Sequence, residues 1–162
     1  MVRLIKLAVT TPMFLFFFLV QTLASDLSAV RSSLAALRAD ILSGMVMDVH
    51  IYFMSYSTRT SIRVTPQRLE RYADRKDKFV ISSQLRDTLV AAIDGAKLYE
   101  TKYRPDLRWG AIFVDKAERQ VHSLYLNSRY FTGTGRIGII DGANVGLNGA
   151  LITWFESNFI HD

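Results

Sequence analysis

Asp48 and His50 form the first pair of side chains whose spacing suits metal binding or proton transfer. Residues two apart in an extended strand project from the same face, so this carboxylate and this imidazole could both reach one metal ion or one proton. His122 lies in another predicted strand, and the three residues define one hypothesis, a small secreted hydrolase or metal-dependent enzyme. The chain has three histidines and no HExxH or comparable spacing, so we expect neither a metal nor another cofactor.

Other catalytic and nucleotide-binding patterns are weak or missing. The 162 residues include no cysteine, which excludes a thiol nucleophile and a thiolate metal site. His122 is followed by Ser123, and neighbouring residues of a strand face opposite sides, which is a poor geometry for a serine hydrolase. Residues 133–138 match GxGxxG, but residues 139–142 are typical of a strand and a turn, not of a helix start. We therefore interpret these glycines as turn and bulge positions.

Residues 59–78 carry seven basic side chains against three acidic ones. Three of the arginines follow helical spacing and two others would share one strand face, so adjacent elements could merge them into one patch. Arginine binds carboxylates and phosphates through two parallel hydrogen bonds. The candidate binding residues are Arg59, Arg63, Arg68, Arg71, Arg75, Lys76 and Lys78. The alternative is an ordinary solvated surface with local ion pairs, such as Arg71 with Asp74.

Aromatic residues gather near the predicted turns, where tyrosine and tryptophan, together with arginine, are typical of binding hot spots. They are Tyr52, Tyr56, Tyr99, Tyr103, Trp109, Tyr125 and Tyr130. The same residue types form the edges of ordinary small cores, so the sequence leaves both roles open.

Residues 1–24 have the composition of a secretory signal. Arg3 and Lys6 precede an apolar run, and Thr22 and Ala24 supply the small side chains that favour cleavage after Ala24. The alternative is an uncleaved membrane anchor, because residues 7–24 approach the about 17–25 residues of a membrane-spanning helix.

Cleavage changes the charge of the chain only slightly. The exported form, residues 25–162, loses two basic residues and no acidic one, so its formal charge falls from +5 to +3. That mildly basic balance does not indicate a nucleic acid partner.

Apolar spacing and turn residues predict the elements of the exported form. Steps of three and four predict helices over residues 25–43, 66–74, 83–98 and 148–159. β-branched and aromatic residues predict strands over residues 46–54, 58–65, 107–115, 119–127 and 136–140. The first four strands would form two β-hairpins. The stripe of the first helix would pack on the sheet or, alternatively, form a short coiled coil.

Hairpins in place of helical crossovers indicate the α+β class. We expect one domain over residues 25–162, with a mainly antiparallel sheet of about five strands and helices packed on one face, after an N-terminal signal helix. Without cysteine, apolar packing and hydrogen bonds must stabilise it.

Export, small size and the lack of a catalytic motif predict a non-catalytic binding module, periplasmic or extracellular. An inhibitor or immunity-type protein that blocks a secreted toxin or enzyme fits these features. We expect its partner to be a protein with an acidic surface and not nucleic acid. Membrane contact is expected only if the N-terminal helix stays uncleaved, which would make the chain a tethered accessory protein.

We predict that export removes residues 1–24, because the basic start, the apolar run and the small residues meet at Ala24. Intact mass spectrometry of the exported protein should give a chain that begins at Ser25. A chain that keeps Met1, or that stays in the cytoplasm, would contradict the signal.

Overall fold

A seven-stranded antiparallel sheet and four helices make up the computed structural model, which describes residues 11–55, 57–58, 60–127 and 135–159, with side chains from Leu27 onward. In chain order the elements are α1 (Thr11–Ser43), β1 (Asp48–Phe53), α2 (Pro66–Tyr72), β2 (Arg75–Val80), α3 (Ser83–Asp94), β3 (Ala96–Tyr99), β4 (Leu107–Val114), β5 (Gln120–Asn127), β6 (Arg136–Ile140), β7 (Ala143–Gly149) and α4 (Ala150–Phe159). The order across the sheet is β2-β1-β4-β5-β6-β7-β3.

The α+β class, the antiparallel sheet and the hairpin of β4 and β5 are confirmed. Ala111 lies opposite Leu124 in this hairpin, and every residue of β4 is buried. Apart from Arg108 and Gly110, β4 is a run of apolar and aromatic residues, as expected of a strand that is covered on both faces, and the sequence therefore predicts it clearly. The strand predicted over residues 136–140 is also present, as β6.

The first predicted hairpin is wrong. Among the described residues of 54–65 there is no strand, and β1 pairs with β2 instead, Tyr52 lying opposite Lys76. Side chains bind the backbone of this loop: Asp74 Oδ2 accepts from the Ser55 amide at 2.7 Å, and Asp106 Oδ1 accepts from the Val64 amide at 2.7 Å. These side-chain acceptors replace the ladder that a strand partner would supply.

The sequence also missed β3 and β7. The helix predicted to reach residue 98 ends at Asp94, and residues 96–99 form an edge strand. The closing helix begins at Ala150, because residues 143–149 pair with β6 on one side and with β3 on the other. Asparagine and glycine fill much of β7, so its pairing overrides a weak local preference.

Helices cover both faces of the sheet, and not one face as predicted. The three-helix face carries Val49, Ile51, Phe113 and Leu147, which share a core with α1, α3 and α4. The α2 face carries Ile112, Val114 and Tyr125, which pack with Leu69 of α2 and with Val64 of the preceding loop.

The apolar stripe of α1 is buried in the chain's own core. Val30, Leu34, Leu37 and Ile41 are at most 6 % exposed, so this stripe is not available for the coiled coil that the sequence left open. α1 begins at Thr11, upstream of the predicted start at residue 25. Residues 1–10 lie outside the described part, and the cleavage site stays a prediction. No helix of the described residues is long and apolar enough to cross a membrane.

Two contacts fasten α2 to its face of the sheet. The Leu69 side chain is fully buried, and the Tyr125 hydroxyl donates a hydrogen bond of 2.5 Å to Glu70 Oε1. Burial, and then the Glu70 carboxylate, raise the pKa of Tyr125, so the phenol stays protonated and keeps this donor role. A seven-residue helix is too short to be stable alone, so these contacts decide where it lies.

Close approach, not a turn, explains two glycines of the sheet. Gly138 belongs to the GxGxxG sequence but lies within β6, where a Cβ would come within 2.4 Å of the Tyr125 carbonyl oxygen. The turn interpretation is therefore wrong for this residue. Gly110 lies beneath the Tyr125 ring, and its Cβ would lie 2.7 Å from Tyr125 Cδ1.

We predict that Gly110→Ala lowers the free energy of unfolding by about 1–3 kcal/mol, because the added methyl group displaces the buried Tyr125 ring. Urea unfolding at neutral pH measures the loss. In a Tyr125→Ala background the same substitution should cost less than about 0.5 kcal/mol, since the clash is gone. An equal loss in both backgrounds would contradict this explanation.

Candidate functional site

The candidate basic residues divide between the two faces of the sheet. Along β2, Lys76 and Lys78 point to the α2 face, whereas Arg75 and Asp77 alternate with them and share the side of Phe79, which packs on the three-helix core. Arg75 is occupied there, since it contacts Asp77 and donates to the Phe159 carbonyl at 3.1 Å. The seven predicted residues therefore do not form one surface. Arg59 lies outside the described residues.

Lys78 is also engaged. Its Nζ lies 3.0 Å from Asp48 Oδ2 and contacts Glu118 Oε1, and the two carboxylates raise the pKa of Lys78. This lysine is therefore held in ion pairs with Asp48 and Glu118, and it offers little net charge to a partner.

The remaining cations gather around α2. We call Arg63, Arg68, Arg71, Tyr72 and Lys76 the α2 surface; all five side chains are exposed. At 100° per residue, Arg71 lies about 160° and Arg68 about 100° around the helix from buried Leu69. Tyr72 lies only about 60° from Leu69, but it is the last residue of the helix and remains exposed. Lys76 continues this surface, because its Nζ donates to the Arg71 carbonyl at 3.3 Å.

The acidic residues of the same segment point elsewhere. Glu70 accepts from Tyr125, and Asp74 accepts from the Ser55 amide and from the Thr58 hydroxyl at 3.2 Å. Among the described residues, no ion pair joins Arg71 to Asp74, which was the pair expected of an ordinary solvated helix. The arginines of the α2 surface are therefore not held in ion pairs with these two acids.

The loop that leads to Arg63 is fixed by two neighbouring side chains, Arg108 of β4 and Asp106 just before this strand. The buried Arg108 donates from Nη1 to the Thr58 carbonyl at 3.0 Å and from Nη2 to Asp106 at 2.9 Å. Asp106 in turn accepts from the Val64 amide. These bonds order the backbone on both sides of the loop tip, so Arg63 extends from an anchored segment.

Tyr72 is the residue of this surface that sequence analysis missed. It is 60 % exposed, and the Arg71 guanidinium carbon lies 5.3 Å from its ring centroid. Its position four residues after Arg68 in a predicted helix was the available signal. Among the aromatic residues that were named, Tyr125 is buried, and Tyr56 and Tyr130 lie outside the described residues.

The three residues of the enzyme hypothesis do not meet. Asp48 and His50 alternate with the core residues of β1 and so lie on the α2 face, whereas His122 lies opposite Phe113 on the three-helix face. His50 Nε2 is 3.3 Å from Glu118 Oε2 without hydrogen-bond geometry. In the described part of the chain, no group of three or more histidine, aspartate or glutamate side chains could hold a metal ion.

His122 is instead held between two carboxylates. Its Nδ1 lies 2.8 Å from Asp141 Oδ2, and its Nε2 lies 3.0 Å from Asp40 Oδ2 near the end of α1. Both nitrogens are therefore engaged, and the imidazole has no free position for proton transfer to a substrate. Its role is to tie α1 to β5 and to the turn after β6.

The same geometry shifts two pKa values. The hydrogen bond to Asp141, and then the one to Asp40, raise the pKa of His122 despite burial. Burial opposes ionisation of Asp141, but hydrogen bonds from His122 and from the Ser123 amide outweigh it and lower the pKa of Asp141. The charged forms of both groups thus stabilise the fold.

A groove of about 760 Å³ lies between α3 and α4. Its described lining residues include no charged side chain. Two of its polar side chains bind within the helix pair: Trp154 Nε1 donates to Thr88 at 2.9 Å, and Asn158 donates to the Trp154 carbonyl at 2.8 Å. The groove therefore lacks the charge that distinguishes the α2 surface.

Comparisons with protein families, with curated proteins and with solved structures found no match to this chain.

We predict that stability is greatest between about pH 4 and pH 6.5. Because the pKa of His122 is raised, its contribution is complete below about 6.5, the usual value, and is lost as pH rises through the raised pKa. Because the pKa of Asp141 is lowered, its contribution is lost as pH falls below about 4. Urea unfolding from pH 3 to pH 9 measures both limbs.

His122→Gln supplies the control. It should lower the free energy of unfolding by about 2 kcal/mol at pH 6, since it removes charged hydrogen bonds, and it should remove most of the decline above pH 6.5. A wild-type chain equally stable at pH 6 and pH 9, or a variant with the same decline, would show that this histidine carries no such contribution.

Proposed function

We propose that this chain is a small exported, non-catalytic binding module that recognises an acidic protein surface through the α2 surface. It acts in the periplasm or outside the cell, after removal of residues 1–24. A protein of this kind blocks a secreted toxin or enzyme by covering part of its surface, as an inhibitor or immunity protein does.

One observation carries the proposal: the cations around α2 are exposed, while the acids of the same segment are bonded to the protein itself. Had Asp74 paired with Arg71, one of the four cations would be bound within the chain and would be less available to a partner. Instead Arg63, Arg68, Arg71 and Lys76 act together on approaching charges.

The chemistry of these cations favours a carboxylate-rich partner. An arginine fork binds a carboxylate through two hydrogen bonds, and a patch of one sign speeds encounter with the opposite sign and excludes wrong partners. The partner is a protein and not a nucleic acid, since export takes the chain away from the genome and four cations on one short helix and its flanks make few phosphate contacts.

The fastening of α2 supports the same function. Leu69, the bond from Tyr125 to Glu70, and the Arg108 and Asp106 contacts hold the surface in one geometry before binding. A preordered surface loses less conformational entropy on association, which favours tight binding over a modest area.

We predict that reversing Arg68, Arg71 and Lys76 to glutamate abolishes capture of the acidic partner. The tagged chain, expressed and exported in its own host, serves as bait for proteins of the envelope and the medium at about 0.1 M and 1 M salt. Wild-type capture should weaken at 1 M, where the Debye length falls to about 3 Å. Exposed substitutions change stability by about 0.5 kcal/mol each, so the variant should remain folded.

The matched control reverses Lys97, Arg104 and Lys116, which are equally exposed but lie elsewhere. It changes the net charge by the same amount and should capture the same partner as wild type. If both triple variants capture like wild type, or lose capture together, the α2 surface is not the binding site.

A further inference from the structure

Tyr72, like Ile62 of the loop before α2, is a large side chain that is left in solvent. It is the last residue of α2, four residues after Arg68, and its ring lies under the Arg71 guanidinium. In the folded chain 60 % of it stays exposed. An exposed aromatic ring between arginines has the composition of a binding hot spot.

We propose that Tyr72 is the apolar anchor of the α2 surface, and that the acidic partner presents an apolar pocket flanked by carboxylates to receive it. This inference rests on the proposed function and adds the chemistry of the partner's surface. Arg68 and Arg71 engage the flanking carboxylates, and the tyrosine ring fills the pocket between them.

Charges alone do not give a lasting complex. Exposed ion pairs chiefly raise the rate of encounter and are screened by salt, whereas buried aromatic area slows dissociation. The Arg71 side chain already stacks on the ring, so cation and ring are oriented before contact. A tyrosine has two side-chain torsions to fix, which makes it a low-entropy anchor.

Tyr103 provides a matched comparison on the same chain. It is 59 % exposed, and Lys102 Nζ lies 6.0 Å from its ring centroid. Tyr103 therefore matches Tyr72 in residue type and exposed fraction, and each ring has a neighbouring cation. Tyr103 lies in the segment between β3 and β4, outside the α2 surface. Any effect of exposed tyrosine in general should appear at both residues.

The test uses two synthetic peptides as probes. One is acetyl-Glu-Glu-Leu-Trp-Glu-Glu-amide, and the other has serine in place of leucine and tryptophan. Each is titrated into the isotope-labelled exported chain, and the amide signals give both the affinity and the site. Tyr72→Ala and Tyr103→Ala are compared with wild type, and their amide spectra confirm that both remain folded.

The leucine–tryptophan peptide should shift the signals of residues 66–76 and bind about tenfold more tightly than the serine peptide. Tyr72→Ala should remove that difference, and Tyr103→Ala should keep it. Equal affinity of the two peptides for wild type, or a difference that survives in Tyr72→Ala, overturns the anchor. The proposed function stands in that case, provided that the serine peptide still binds residues 66–76 and the triple reversal still abolishes binding.

Two further outcomes would contradict the assignment in other ways. If neither peptide shifts residues 66–76, an acidic partner at this surface is itself overturned. If the chain sediments with phosphatidylglycerol vesicles and Tyr72→Ala does not, the ring is an anchor for a lipid surface and the protein partner is wrong.

Discussion

The sheet has two apolar faces to cover, and the chain covers them unequally. Three helices lie on one face, whereas the other receives the seven-residue α2 and the loop before it. So short a helix keeps its place through tertiary contacts, chief among them buried Leu69 and the bond between Tyr125 and Glu70. Because its inner side is used for these contacts, its arginines must point outward.

Placement of the acids follows from the same constraint. Glu70 is required by the buried Tyr125 hydroxyl, and Asp74 and Asp106 satisfy backbone amides of a loop that has no strand partner. Acids bonded to these groups do not form ion pairs with the arginines of α2. The excess positive charge around α2 is therefore a consequence of how this face is covered, and it is the property on which the proposed function depends.

Around His122, in contrast to α2, the charged groups pair with one another inside the fold. Two carboxylates from α1 and from the turn after β6 converge on one imidazole, and all three groups are partly or largely withdrawn from water. That arrangement stabilises the three-helix side of the molecule, and its three charged groups are bonded to one another. Histidine and acid in proximity thus mark a structural tie here, and the exposed arginines mark the candidate interface.

Sequence patterns predicted the helices and strands in which the spacing of apolar residues matches the burial of their side chains. The β4 and β5 hairpin and the stripe of α1 were found because burial and spacing agree there. β2 was missed as the partner of β1 because an edge strand carries charged residues, and β7 was missed because Asn144, Gly146 and Asn148 disfavour a strand.

Local sequence patterns also predicted part of the α2 surface. Arg68, Arg71 and Lys76 follow from charge density and spacing, but which face Arg75 and Lys78 occupy depends on the register of β2, which no local pattern reveals. Tyr72 could have been found from its spacing to Arg68. Its exposure, however, depends on how α2 lies on the sheet.

The most direct measurement of the central claim is amide hydrogen exchange of the chain, alone and in complex with its captured acidic partner. Binding through the α2 surface predicts slower exchange over residues 63–76, with unchanged exchange in α3 and α4. Protection confined to the groove between α3 and α4, with residues 63–76 unchanged, would contradict the claim that the cations around α2 form the interface.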